Sequence, residues 1–126
     1  MRAKVLLYRL GAETERGRAL HAVLDARKIL TLDVDERHLQ EPVGRLVSTN
    51  AAPPEHAAVP ERPPETEFML LCAFGEHQLD RLLDDLRRAD IRVACKAVLT
   101  EHNRNWTLCK LIEEVEEEHA ALARRD

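Results

Sequence analysis

The chain has 126 residues, of which 44% are apolar and 33% charged, with a formal net charge of −4. That length suits one domain with one core and needs no disulfide staples. The negative balance argues against non-specific binding to nucleic acid or to an anionic membrane. No apolar run approaches the length that crosses a bilayer, so a cytoplasmic location is expected.

Aromatic residues make up only 3% of the chain, so the core must be aliphatic. Cys72, Cys95 and Cys109 are odd in number and none lies at metal-ligand spacing from another. They read as buried, reduced thiols. The histidines are scattered, and the sequence points to no metal site and no cofactor.

Val5-Leu6-Leu7-Tyr8-Arg9-Leu10 is a short, almost wholly apolar run that reads as a strand ended by Gly11. Thr14 can cap a following helix whose buried stripe is Leu20, Val23 and Leu24. Leu30 to Asp35 alternates apolar and polar residues and predicts a strand with one wet face. Pro42 can start a short helix through Val43, Leu46 and Val47.

Residues 48–66 hold five of the six prolines and show no periodicity, which predicts a flexible Pro-rich loop inside a single domain spanning 1–126. The second half then repeats the order of the first. Phe68 to Phe74 is an apolar strand ended by Gly75. The next helix carries Leu79, Leu82, Leu83, Leu86 and Ala89 on one face, with Arg81–Asp85 and Asp84–Arg88 placed to pair across a turn. Ile91 to Leu99 predicts a strand, and about Thr107 to Ala123 a last helix striped by Leu108, Leu111, Ile112, Val115, His119 and Leu122.

The order is β-α-β, linker, β-α-β, helix. It predicts an α+β fold, a ferredoxin-like βαββαβ sandwich with an additional C-terminal helix. The first and third strands, apolar on both faces, belong at the centre, and the alternating second and fourth at the edges. Two crossover helices cover only one face of such a sheet. The C-terminal helix or a second subunit must cover the other.

Several of these runs carry a resemblance. Phe68 to Phe74, the Leu-rich helix, Lys96-Ala97-Val98-Leu99-Thr100 and Asn103-Arg104-Asn105-Trp106-Thr107 resemble a bacterial family known only as a domain of unknown function, number 3783. The opening strand and Pro42-Val43-Gly44 are also similar to it, and His102-Asn103 is a minor departure. The resemblance implies bacterial origin and a small stand-alone domain, but no reaction.

The densest polar cluster is Lys96, Thr100, Asn103, Arg104, Asn105, Trp106 and Thr107, between the last strand and the last helix. Free amides at that helix start, flanked by Lys96 and Arg104, suit a phosphate or carboxylate. The plainer reading is a capped turn plugged by Trp106, with Lys96 snorkelling off an edge strand. The Glu113–Glu118 acids read as a solvated helix face, Asp33 and Asp35 lack a third oxygen ligand, and His119 reads as a boundary residue. RNA-binding sheets need exposed aromatics and a basic surface, both missing here.

These readings favour a non-catalytic regulatory or interaction module that binds a small anion or a protein, with a homodimer or a protein as partner. The alternative is a small enzyme with its site around Lys96 and the Asn103–Thr107 turn. A catalytic lysine needs a lowered pKa, hence burial, which an edge strand does not provide.

Overall fold

The computed structural model describes residues 2–49 and 52–124. Four strands, β1 (Lys4–Tyr8), β2 (Leu30–Val34), β3 (Phe68–Cys72) and β4 (Cys95–Val98), form one sheet in the order β2-β1-β3-β4. Four helices accompany them: α1 (Glu15–Ala26), α2 (Val43–Thr49), α3 (Glu76–Arg88) and α4 (Leu108–Arg124). A turn of 3-10 helix at Glu36–His38 follows β2.

The two wholly apolar runs take the centre, as their composition requires. Every residue of β1 and β3 is buried, and the two strands pair antiparallel with Leu6 opposite Leu70 at the midpoint. Side chains alternate between two cores. Val5, Leu7, Met69 and Leu71 pack with Leu20 and Leu24 of α1 and Leu82 and Leu86 of α3. Leu6, Tyr8, Phe68, Leu70 and Cys72 pack on the other face with Val43, Leu46 and Val47 of α2 and Leu108, Leu111 and Ile112 of α4. The sheet is therefore sheathed on both sides, and the second cover is α4 together with α2.

The fold is mixed α/β, but its strand order is not the ferredoxin-like one. In that plan each crossover skips a strand, so that β2 lies beside β3 and β4 beside β1. Here β1 pairs with β2 in parallel and β3 pairs with β4 in parallel. Each β-α-β unit is closed on itself, and within the sheet the units join through the antiparallel β1–β3 ladder. Burial on both faces distinguishes central from edge strands, and both plans put β1 and β3 in the middle. Which edge each remaining strand takes leaves no mark on its own composition.

Several local expectations shift in detail. Thr14 does cap α1, accepting from the Gly17 amide at 2.9 Å. The fourth strand is only Cys95–Val98, because β3 offers partners from Phe68 to Leu71 alone and Ile91–Ala94 lie before that ladder. The α3 acids choose other cations: Asp84 pairs with Arg87, and Asp85 with Arg27 of α1, tying the two helices together. The Pro-rich stretch begins as the last turn of α2, since Ser48 and Thr49 are helical, while Asn50 and Ala51 lie outside the described residues. Residues 52–66 form no helix or strand, and their end is anchored. The Pro64 carbonyl accepts from Tyr8 Oη at 2.7 Å and from Arg9 Nε at 2.9 Å.

The two halves are copies of one plan. Each central strand ends in a left-handed residue, Arg9 (φ 60°) and Ala73 (φ 61°). Each following helix ends on another, Lys28 and Asp90, both at φ 57°. The next amide then bonds back into the helix, Ile29 to the Leu24 carbonyl and Ile91 to that of Leu86, a closure that requires such a residue after the last turn.

Candidate functional site

The polar turn singled out in the sequence is built from its own hydrogen bonds. Thr100 and Asn103 close on each other: the Thr100 amide donates to Asn103 Oδ1 at 2.9 Å and the Asn103 amide to Thr100 Oγ1 at 3.1 Å. The Asn103 side-chain amide donates to the Val98 carbonyl at 3.0 Å, and Asn103 is 9% exposed. Thr107 caps α4, its hydroxyl accepting from the Lys110 amide. Arg104 pairs with Glu101, and half-buried Trp106 lies against the core with His102 at its edge and Lys110 Nζ 4.4 Å over its ring. Asn105 is exposed.

The first half contains the same turn, sixty-five residues earlier. The Asp35 amide donates to His38 Nδ1 at 3.0 Å, as Thr100 does to Asn103. The two turns are laced together by reciprocal bonds. Val43 N donates to the Trp106 carbonyl and Leu108 N to that of Glu41; Gly44 N donates to the Arg104 carbonyl and Cys109 N to that of Leu39. Gly44 is required at this seam, because a Cβ there would stand 2.8 Å from the Arg104 oxygen. The backbone carbonyls of Arg104 and Trp106 are thus spent on holding α2 and α4 together over the sheet.

Lys96 is not part of that arrangement. It stands exposed on β4 and its Nζ donates to the Val93 carbonyl at 2.7 Å. There it lines a groove of about 660 Å³ with Leu83, Leu86 and Arg87 of α3, the Asp90–Ala94 segment and His119 of α4; no residue of the 100–107 turn lines it. Arg92 and His119 are exposed, and their side chains make no hydrogen bond or ion pair among the described residues. Ile91 and Val93 are buried, at 7% and 3% exposure, and give the groove an apolar floor.

A smaller cavity of about 290 Å³ lies at the carboxyl ends of β1 and β2, where open α/β sheets often hold ligands. Most of its charges are matched; Glu13 also lines it and makes no ion pair among the described residues. Arg9 pairs with Glu36, Asp35 with Arg37 and Asp33 with His21. The Arg37 guanidinium beside Asp35 holds that carboxyl down at about 2. Among the described residues no group of three His, Cys, Asp or Glu side chains is placed to hold a metal ion.

The three cysteines are free. Burial pushes the Cys72 thiol up to about 12 and raises Cys95. Cys109 is half-buried rather than buried; desolvation and its bond to Glu113 push it up to about 11. Thiols held this high carry little thiolate at neutral pH.

The arrangement accounts for what the sequence reading missed. The alternation of Ile91 to Leu99 already puts Arg92 and Lys96 on one face, but Arg87 and His119 lie apart on the chain, and only the crossing of α3 and α4 beside that segment adds them. Lys4 is the first residue of β1. It is 7% exposed, and its Nζ reaches the Val47 carbonyl at the end of α2 at 2.6 Å.

With this geometry in place, the comparisons concern the second half alone. Residues 67–122 match the family model of a domain of unknown function, DUF3783. The matched DUF3783 stretch runs from the residue before β3 into α4, so it holds one complete β-α-β-α unit and every residue that lines the groove. No curated protein and no solved structure matches the chain. No helix among the described residues is long and apolar enough to cross a membrane.

Proposed function

We propose that the chain is a non-catalytic binding module whose site is the groove beside Lys96 and whose ligand is a small anion. The observation that carries this reading is charge without a partner. Arg92 stands unpaired in a groove that also holds Lys96, Arg87 and the imidazole of His119 and is lined by one acid, Asp90. The chain as a whole is negative, so a local cationic lining is the place where an anion gains most.

Of the polar cluster read from the sequence, this assigns ligand contact to Lys96. It leaves Thr100, Asn103, Arg104, Asn105, Trp106 and Thr107 as the neighbouring turn. The enzyme reading, which needs Lys96 and that turn in one site, draws no support from their separate positions. It also lacks a thiol nucleophile, since each cysteine is pushed up rather than down. A second copy docked on an open sheet face, the homodimer anticipated above, would have to displace α2 and α4. A protein partner or second copy is therefore better placed at the free edge of β4. The reading keeps the chain as one domain over 1–126, with residues 52–66 of the Pro-rich stretch as a flexible loop tethered at Pro64. It also keeps the protein bacterial and cytoplasmic, with no nucleic-acid or membrane partner.

A thermal-shift screen over small metabolites tests the reading, because a ligand bound to the folded state stabilises it by mass action. Anions should raise Tm and the Arg92→Glu variant should lose the response. Stabilisation by cations alone, or an NMR-titrated Lys96 with a pKa near 7, would overturn it in favour of another site or of catalysis.

A further inference from the structure

The groove lies where the second half departs from the first. From Leu20 and Leu82 to Ile29 and Ile91 the halves run in step at a separation of 62 residues, and from Asp35 and Thr100 onward at 65. The second half thus carries three additional residues between helix and turn. They fall in the Ile91–Ala94 segment, which stays outside the β3–β4 ladder, and Arg92, Val93 and Ala94 all line the groove. The helices differ likewise. By the same correspondence α2 ends at Thr49, opposite Glu114, whereas α4 continues to Arg124, and His119 sits in the added turns. Two separate additions to a duplicated plan therefore meet in one cavity, while the corresponding place in the first half is lined by no comparable groove among those described.

From this, and resting on the reading of the groove as an anion site, we infer that its ligand is an amphipathic organic anion, a carboxylate or sulfonate carried on an apolar body. The apolar body lies along Leu83, Leu86, Ile91 and Val93, and the acid group meets Arg92 and Lys96 at the rim with His119 across from them. An inorganic anion uses the rim alone. An apolar chain adds burial, and each methylene removed from water tightens binding roughly fourfold.

The test titrates the full-length protein, followed by NMR of its backbone amides, with sodium octanoate, acetate, inorganic phosphate and octyltrimethylammonium. Octanoate should bind at least about tenfold more tightly than acetate or phosphate and move the amides of residues 91–96. Arg92→Glu, an exposed position, should weaken octanoate about tenfold, whereas Arg62→Glu in the Pro-rich segment should not. Phosphate or acetate binding in the groove as tightly as octanoate would overturn the amphipathic ligand and leave the anion site standing. Octyltrimethylammonium binding as well as octanoate would overturn the role of the cations. Failure of every anion to move residues 91–96 would overturn the inference and the reading beneath it together.

Discussion

The two halves of this chain use one set of devices and put them to different ends. Both close a parallel β-α-β unit, both end the first helix on a left-handed residue, and both follow the edge strand with a turn closed between residues three apart. In the first half most charges at the strand-end cavity are paired, Arg9 with Glu36 and Asp35 with Arg37. In the second, three more residues and a longer last helix leave Arg92 and His119 without partners around an apolar floor. Shared features mark what the scaffold needs, and the departures mark where it has been given something to do.

The largest expected effect tests whether the halves are equivalent at their seam. Leu6 and Leu70 face each other at the midpoint of the sheet and are fully buried. Leu6→Ala and Leu70→Ala should each lose about 2–5 kcal/mol in urea unfolding, by similar amounts. One loss twice the other would break the equivalence.

The helix entries should differ instead. Gly17 of α1 lies against its connecting loop, and a Cβ there would stand 1.8 Å from the Gly11 oxygen. Gly17→Ala should cost about 3 kcal/mol, because the loop backbone has nowhere to go. Gly75, before α3, has nothing within 4 Å, and Gly75→Ala should leave the midpoint nearly unchanged.

The turns separate structure from binding. Asn103→Ala removes two side-chain partners inside a buried turn and should cost about 1–3 kcal/mol without altering anion affinity beyond what unfolding explains. A loss of affinity with stability intact would return the turn to the site.

The smallest effect is an acid one, confined to the first half. The Asp35 carboxyl is lowered from 3.8 to about 2, chiefly by its bond to the Arg37 guanidinium. A depressed carboxyl stabilises the fold fully above its unfolded value and ceases to do so as it protonates. That contribution should be lost as pH falls from 3.8 toward 2, and Asp35→Asn should flatten this limb of the stability curve. Thr100, its counterpart, carries no charge, so Thr100→Ser should leave the limb unchanged.

Much of this molecule is legible along the chain. The doubly apolar Val5–Tyr8 and Phe68–Cys72 runs declared the sheet's centre, because only a strand covered on both faces tolerates such composition. Thr14 and Pro42 marked helix starts through the amides a helix leaves free, and of the two caps the last helix offered, Asn105 or Thr107, the structure uses Thr107. The uncovered face demanded a lid, and the stripe on α4 supplied much of it. Local chemistry and burial period determine these features residue by residue. Tertiary structure alone decided which edge β2 and β4 occupy, since register and crossover are properties of pairs of strands. It decided that the Asn103–Thr107 turn is bonded to its twin, and that Arg87, Arg92, Lys96 and His119 share a groove. The spacing of Arg92 and Lys96 puts those two on one face, but Arg87 and His119 join them only where α3 and α4 cross that segment, a relation that no spacing encodes.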